Sequence, residues 1–369
     1  MQLSNFRLPL AWLTVGATML APTIAPAALP LTAAGLLFVW LLGIILWSAF
    51  GVVHEAEELA EILGEPFGTL ILTLSIVIIE VALISAVMLS SEAVPTLGRD
   101  TMFAVLMIVL NGVVGLGLLI GGLRHHQQSF NLQGASAYLA VTIPLAVIAL
   151  VLPNFTVSST GGTLSVTQSI LFSLLTITLY GLFLWLQTGR HQGFFQPAGV
   201  SGKVEDASPL PHPGPTPSRS SLMRHVLLLL ANILPIVILS KSLAKLLDAG
   251  IAALNAPTAL GGIIIAMIVF TPEGISALRA VAANQLTRAI NLCLGAAAST
   301  LGLTVPAVLL IGLIIDQPVI LGLSAANMVL LSATLVLNGI TFSGGRTTAL
   351  EGAVHLSLFA VFLILVFSP

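Results

Sequence analysis

Apolar stretches of about twenty residues recur along the whole chain and are separated by short segments rich in polar residues, glycine or proline. A transmembrane α-helix needs about twenty consecutive apolar residues to cross the hydrocarbon of a bilayer. The pattern therefore predicts an all-α polytopic membrane protein with about eleven transmembrane helices. The predicted spans are residues 8–28, 32–53, 67–90, 101–122, 135–153, 166–187, 223–243, 257–282, 289–315, 317–340 and 347–368.

The first span also has a second interpretation. Arg7, the apolar residues after it and the small residues 25–28 follow the order of a secretory signal peptide. We favour a retained helix, because the positive charge before the apolar run is weak and proline interrupts that run. Residues 1–31 are therefore predicted to form an N-terminal transmembrane helix.

One long polar segment, residues 188–222, divides the remaining spans into two groups of five. It alternates proline with small and polar residues, a composition typical of a flexible linker. Because five is an odd number of crossings, the two groups enter the membrane from opposite sides. The sequence thus predicts one helix followed by two inverted five-helix repeats, residues 32–187 and 223–369, as in many secondary transporters.

Composition and charge agree with this architecture. The chain is 57% hydrophobic and only 7% charged, which is too apolar for a water-soluble domain, so its main surroundings are lipid. A net charge of −2 gives no reason to expect a nucleic-acid partner, and the single cysteine, Cys293, cannot form an intramolecular disulfide. With a cytoplasmic N-terminus, nine of the twelve Lys and Arg residues lie inside, as the positive-inside rule requires of a plasma-membrane protein.

Two glutamates carry the candidate chemistry. Glu80 and Glu273 each stand alone near the middle of an apolar stretch, 48 residues after Thr32 and 50 residues after Met223 respectively. An ionised carboxylate at bilayer depth costs about 3 kcal/mol even on lenient scales, so such a residue is by default a binding or proton-handling group. Their matched positions predict one cation and proton site shared between the repeats.

Neighbouring polar groups extend this candidate site. Thr73 precedes Glu80 by seven residues and so shares its helix face, and Thr271 precedes Glu273 by two. Pro272 removes a backbone donor beside Glu273, which frees carbonyl oxygens for a cation. Oxygen ligands are those that hard cations such as sodium or calcium require. The alternative interpretation is that both glutamates are paired or protonated in structural helix contacts.

Three segments resemble a known family. They are the acidic run from His54 to Gly64 ahead of the Glu80 helix, residues 121–131, and residues 345–353. Together they are similar to calcium/cation:proton exchangers, the CAX branch of the calcium:cation antiporter superfamily, and in particular to its bacterial ChaA-type members. The resemblance extends from about residue 35 to the end. It implies a fold of one plus five plus five helices, exchange of sodium, potassium or calcium for protons, and no cofactor.

The resemblance also implies site residues, and here the sequence departs from the family pattern. The family motif Gly-Asn-Ala-x-Glu matches at both glutamates, but its asparagine positions hold Val77 and Phe270. Fewer amide oxygens favour a monovalent cation or a weaker calcium site. Asn111 matches an asparagine of the family's third core helix, and Ser299 is its approximate counterpart. Each is either a ligand or an interhelical hydrogen-bond partner.

Two further groups of titratable residues have open roles. The run of residues 54–65 either senses cations or pH or is a solvated amphipathic helix whose apolar residues pack on the bundle. The candidate sensing residues in it are His54, Glu55, Glu57, Glu58 and Glu61. His355 follows Glu351 by four residues, and for that pair we expect a structural contact rather than metal binding.

Among function classes, a secondary cation:proton antiporter working by alternating access fits best. An intramembrane enzyme is not expected, because the four aspartates lie in loops or at span ends and form no catalytic set. A passive cation channel is the alternative, since buried carboxylates also line pores. The sequence indicates neither the oligomeric state nor the stoichiometry.

Overall fold

The computed structural model describes residues 4–20, 30–63, 67–89, 95–196 and 219–368. Within these ranges the chain forms eleven helices, the number predicted from the sequence. They are α1 Ser4–Leu20, α2 Leu31–Leu63, α3 Phe67–Met88, α4 Leu97–His125, α5 Leu132–Asn154, α6 Val166–Thr188, α7 Arg219–Ala253, α8 Ala259–Ala282, α9 Leu286–Ile314, α10 Ala325–Thr341 and α11 Ala349–Phe367. By length and composition eight of these described helices could cross a membrane, and α1, α3 and α10 contain shorter apolar stretches.

Some helices differ in length from the predicted spans. α2 and α7 contain 33 and 35 residues, well beyond the predicted 32–53 and 223–243, because each continues through polar residues past its apolar core. The predicted first span and the linker are described only in part, since residues 21–29 and 197–218 lie outside the described residues. A short 3-10 helix, Gln192–Phe195, follows α6.

The predicted span 317–340 is wrong in its first part. Residues 317–324 are not helical, and α10 begins at Ala325. Their backbone groups bond to other segments instead: the Ile320 amide donates to the Pro95 carbonyl and the Leu323 amide to the Leu150 carbonyl. An apolar segment whose backbone groups are satisfied in this way has no need to form a helix.

The helices before and after the linker correspond in order and in detail. α4 and α9 each span 29 residues, and each contains a π-helical segment, Ile108–Val113 and Thr300–Thr304. α6 and α11 begin with the same device, a capping box formed by Ser165 with Gln168 and by Thr348 with Glu351. These shared features support the predicted division into two five-helix repeats.

The two halves are interlocked rather than side by side. α2 packs along α7, with α1 against both of them. The second part of α4 packs on α11 of the other half, and the second part of α9 packs on α6. The π segment of each central helix lies against the glutamate helix of the opposite half, so that Thr300–Thr304 contacts α3 and Ile108–Val113 contacts α8.

Glycines permit the tight contact between α4 and α11. A Cβ at Gly352 would lie 2.4 Å from the Leu119 amide nitrogen, and a Cβ at Gly122 would lie 2.3 Å from the Ala349 amide nitrogen. Small residues at such crossings let helix backbones approach closely in membranes, where packing rather than the hydrophobic effect drives association.

The two ends of the bundle are joined differently. We call the end that carries residues 189–196 and the start of α7 the linker end, and the opposite one the far end. At the linker end a two-stranded antiparallel ladder pairs β1 Gln128–Ser129 with β2 Arg346–Thr347. At the far end the residues 320–323 bind Pro95, Leu150 and Gly162 through backbone hydrogen bonds.

Candidate transport site

Glu80 lies in the centre of the bundle and is held by two threonines of α9. Its side chain is 1% exposed. The Thr300 hydroxyl donates to both carboxylate oxygens at 3.2 and 3.1 Å, and the Thr304 hydroxyl donates to Oε2 at 2.7 Å. Hydroxyls that satisfy a buried carboxylate offset part of the large cost of its desolvation. Glu80, on the first half of the chain, is therefore held by hydrogen bonds from two residues of the second half.

The π segment of α9 presents these two hydroxyls. Thr300 and Thr304 are four residues apart and so share one helix face, which is turned towards α3. Pro306, just after the segment, has no N–H to donate within the helix, and π segments of this kind are frequent at functional sites. The sequence analysis missed both threonines, although their spacing within an apolar helix was a usable signal.

Glu273 lies on α8, near enough to Glu80 for the two carboxyl groups to interact electrostatically. It is 7% exposed, and its Oε2 has no hydrogen-bond partner among the described residues. Val77 and Phe270, which replace the family's asparagines, are buried apolar side chains here. Glu273 thus carries a buried acceptor without a donor, in contrast to Glu80.

A cavity of about 290 Å³ connects Glu273 to the linker end. Glutamines, Asn291 and Arg288 lie towards its mouth, and aromatic and small side chains lie deeper. Its lining residues are Thr73, Ile76, Tyr138, Tyr180, Gln187, Gln192, Phe195, Gln196, Glu273, Arg288, Asn291, Leu292, Gly295, Ala296 and Ser299. Among the described residues, this cavity leads to Glu273 from the linker end.

Tyr180 joins two of the residues predicted from sequence. It lines the cavity together with Thr73 on α3, Ser299 on α9 and Glu273. The structure therefore brings Thr73, Ser299 and both glutamates together. Tyr180 itself was missed, because a single aromatic residue in an apolar span gives no pattern that distinguishes a site residue from a packing residue.

Thr271 and Asn111 have other partners. The Thr271 hydroxyl donates to the Met267 carbonyl of its own helix, and Thr271 does not line the cavity. Asn111 is fully buried on the π segment of α4, where its side chain bonds to Thr334 of α10 and His355 of α11. Their roles as cation ligands remain predictions.

A second cavity, of about 460 Å³, lies at the far end and does not reach either glutamate. Arg99 and Asp100 line it and are joined by an ion pair of 2.9 Å, and the Arg99 guanidinium also donates to the Gly322 carbonyl at 3.0 Å. Phe103 and Phe362 also line this vestibule and are buried, and their rings pack edge to face with centroids 5.6 Å apart.

The acidic segment 54–65 continues α2 as a helix through Leu63, with one of its carboxylates buried. Glu55 is 5% exposed and lies 3.8 Å from Arg7 of α1 and 2.9 Å from His225 of α7. His54, Glu57 and Glu61 are exposed and Glu58 is half-buried, whereas Ala56 and Leu59 are buried and the other apolar positions, Ala60, Ile62 and Leu63, are half-buried. This is the amphipathic arrangement, and a sensing role for these residues remains a prediction.

The expected contact between His355 and Glu351 is not a hydrogen bond. Glu351 closes the capping box with Thr348 at the start of α11, whereas the His355 ring bonds to Asn111 and Thr341. The N-terminal turn of a helix has free backbone N–H groups, and a carboxylate at this position satisfies them.

Comparison with known proteins shows the family and agrees with the fold. A sequence profile of the family described as sodium/calcium exchanger protein matches residues 33–189 and 224–368. The sodium-potassium/proton antiporter ChaA of Escherichia coli is 42% identical over 324 residues, which cover 88% of this chain and 87% of that protein.

Two solved structures share the fold over nearly the whole chain. The Ca2+/H+ antiporter YfkE superposes with a TM-score of 0.73 at 19% identity, covering all of both chains. The H+/Ca2+ exchanger CAX superposes with a TM-score of 0.65 at 15% identity, covering 98% of this chain and 89% of that one. The chain is therefore an integral membrane protein of the sodium/calcium exchanger family and, within it, belongs with the calcium/cation:proton exchangers.

Proposed function

We propose that this protein is a secondary active antiporter that exports sodium or potassium, and calcium in parallel, in exchange for protons at one central site formed by Glu80 and Glu273. The observation that carries this proposal is that α3 and α8, corresponding helices of the two halves, pack against one another and each carries a buried carboxyl group. The name of the relative that is 42% identical, a sodium-potassium/proton antiporter, supports the same choice.

The mechanism is competition between protons and a cation for the same carboxyl groups. A buried carboxylate needs either a proton or a cation beside it, because an unpaired charge in a low-dielectric interior is costly. Two neighbouring carboxylates that repel one another are neutralised by one cation or by protons, but not by both at once. Exchange then follows when the site is exposed alternately to the two sides of the membrane.

The structure corresponds to one of the two exposed states in this proposal. Glu273 is reached through the cavity at the linker end, whereas the far-end vestibule stops at Phe103 and Phe362. Nine of the twelve basic residues lie on the linker side if the spans alternate as predicted. We therefore place the linker and the N-terminus in the cytoplasm of a bacterial cell, with the cavity open inwards.

The oxygen set favours monovalent cations at least as strongly as calcium. The glutamates are accompanied by the hydroxyls of Thr300 and Thr304, whereas Val77 and Phe270 supply no oxygen. Calcium is bound most tightly by six to eight oxygens, and two carboxylates with these two hydroxyls reach only the lower bound, and only if both carboxylates bind through both of their oxygens. No cofactor is needed for this exchange.

Transport assays in everted vesicles test the function. At alkaline pH, where fewer protons compete, adding sodium or potassium should dissipate an imposed proton gradient, with calcium as a weaker or parallel substrate. The measurement is the recovery of fluorescence of a pH-sensitive dye as each cation is titrated. A response to calcium alone, at micromolar concentrations, would show that groups other than those named here provide the ligands.

The same assay separates an antiporter from a passive channel. An antiporter moves protons against the cation, so cation flowing down its gradient should drive protons the other way and acidify the compartment that began with more cation. A channel would let the cation pass without moving protons. Cation flux that leaves the internal pH unchanged, with the membrane potential clamped, would favour the channel.

We further propose that Phe103 and Phe362 form the far-end gate. They come from α4 of the first half and α11 of the second, and both line the vestibule with buried side chains in contact with one another. An edge-to-face aromatic pair excludes water, and the ring contact stabilises the closed arrangement by about 0.5–1.5 kcal/mol in addition to the effect of burying its apolar area. Opening towards the far side would require these two rings to separate.

Replacing both gate residues with alanine should make the protein leaky. Proteoliposomes that contain the Phe103→Ala/Phe362→Ala variant should lose an imposed pH gradient without any transported cation, whereas wild-type proteoliposomes keep it. The matched control is Phe130→Ala/Phe342→Ala, an edge-to-face pair with centroids 5.5 Å apart that lies outside the vestibule. A double-alanine variant at the gate that remains as tight as wild type would contradict this assignment.

A further inference from the structure

A chain of hydrogen bonds holds the side-chain amide of Asn111 between Thr334 of α10 and His355 of α11. Asn111, Thr334, Thr341 and His355 are all buried, in the region where α4, α10 and α11 meet. None of these side chains lines either cavity. Buried polar groups in a membrane protein are expensive unless every one is satisfied, so such a cluster calls for a function.

The direction of each hydrogen bond follows from its neighbours. The Thr334 hydroxyl donates to the Leu330 carbonyl at 2.8 Å, so its oxygen is an acceptor for the Asn111 Nδ2, also at 2.8 Å. The Asn111 carbonyl oxygen therefore faces His355, whose Nδ1 lies 3.2 Å away and donates to it in the tautomer that is protonated at Nδ1. In the neutral ring Nε2 is then an acceptor, and the Thr341 hydroxyl donates to it at 3.0 Å.

The corresponding position in the other half behaves differently. Asn111 and Thr300 are each the fifteenth residue of their helices, α4 and α9, and both lie on the π segments. Thr300 donates to Glu80, the glutamate on the opposing helix. Asn111 makes no bond to Glu273, although its π segment packs against α8 and Glu273 Oε2 has no partner among the described residues.

We propose that His355 is a positioning residue that determines cation preference by engaging the only amide oxygen at this level of α4. While the Nδ1–H of His355 binds the Asn111 carbonyl oxygen, that oxygen is withheld from a cation at Glu273. The central site then keeps few neutral oxygens and favours sodium or potassium. This inference rests on the proposed exchange at Glu80 and Glu273.

Removing the histidine ring should release the asparagine. In His355→Leu, Asn111 loses its donor, and its carbonyl oxygen gains by turning to a cation beside Glu273. Because each added oxygen ligand favours calcium over a monovalent ion, we expect the half-saturating calcium concentration to fall relative to that of sodium, on the order of tenfold. His355→Gln, whose amide nitrogen can donate to Asn111, should restore the wild-type ratio.

The experiment measures half-saturating sodium and calcium concentrations in everted vesicles for wild type, His355→Leu, His355→Gln and Asn111→Leu/His355→Leu. The control Ser357→Leu alters an exposed residue on the same helix and should leave the ratio unchanged. A ratio that shifts in His355→Leu and returns in the double variant supports the proposal, because a purely structural defect would not depend on the Asn111 amide.

Two outcomes would overturn the proposal that His355 determines cation preference. The first is an unchanged ratio in an active His355→Leu protein, and the second is an equal shift in the double variant that lacks the asparagine. If His355→Leu does not accumulate in the membrane, Thr341→Val replaces it, since losing the donor to Nε2 weakens the same tautomer and should shift the ratio in the same direction. Absence of any cation-dependent proton movement in wild type would instead reject the proposed function itself.

Discussion

Replacing either Glu80 or Glu273 with glutamine should abolish proton-coupled cation exchange while leaving the protein folded in the membrane. Glutamine keeps the shape of the side chain and can accept hydrogen bonds from Thr300 and Thr304, but it can neither take up a proton nor neutralise a cation. The measurement is cation-induced dissipation of a proton gradient in everted vesicles that contain equal amounts of each protein. We expect the rate of exchange to fall at least about a hundredfold, which is the size of effect that removing an acid–base group has.

Asp316→Asn is the matched control for these two variants. It makes the same change from carboxylate to amide at an exposed residue at the far end, where φ is 54° and asparagine is readily accommodated. Exchange should therefore remain at the wild-type rate. Normal exchange by Glu80→Gln or Glu273→Gln would remove that residue from the site.

The second large effect concerns the packing of α4 on α11. Gly352→Leu should destabilise the protein severely, because even its Cβ would lie 2.4 Å from the Leu119 amide nitrogen and 2.7 Å from the Gly115 carbonyl oxygen. These neighbours are backbone atoms, so one helix must move. Overpacking of this kind typically costs about 1–3 kcal/mol or more. We expect a lower yield of monodisperse protein in detergent and a lower melting temperature.

Gly181→Leu tests whether this effect is specific to the helix contact. Gly181 also lies within a span, but nothing lies within 4 Å of a Cβ at that position. The variant should be purified in wild-type amounts with a similar melting temperature. Equal stability of the Gly352 and Gly181 variants would show that α4 and α11 do not pack as closely as described.

Hydropathy sufficed to predict the number and order of the helices, because the bilayer fixes their minimum length. It failed at residues 317–324, which are as apolar as a span but bond their backbone to other segments. Hydropathy also underestimated the lengths of α2 and α7, since a helix continues into polar solvent at no great cost once its apolar part is packed. Such differences arise from tertiary contacts, which an apolar pattern does not encode.

The charged residues of the candidate site were predicted from the sequence. Glu80 and Glu273 were found because a lone carboxylate in an apolar span is costly. Thr300 and Thr304 were missed because hydroxyls are common in spans, and only the register of α9 against α3 shows that these two face a glutamate. Counting from the start of α4 and α9 pairs Asn111 with Thr300 rather than with the predicted Ser299, an alignment that requires the helix boundaries.

The acidic run 54–65 shows another feature that the sequence alone does not predict, the partners of an individual carboxylate. From sequence its glutamates are equivalent, yet of those that the structure describes Glu55 alone lies between Arg7 and His225. The partners of Glu55 come from α1 and α7, far apart in the chain. Because buried ion pairs are costly when one partner is removed, the role of this carboxylate depends on neighbours that only the fold brings to it.

The most direct test of the account is whether binding a cation expels protons from the two glutamates. Purified wild-type protein in weakly buffered detergent solution is titrated with sodium, potassium or calcium while a pH-sensitive dye records released protons. The account predicts saturable proton release in wild type and none in the Glu80→Gln/Glu273→Gln variant. Cation binding without proton release, or equal release from the variant, would contradict a shared proton and cation site at these two residues.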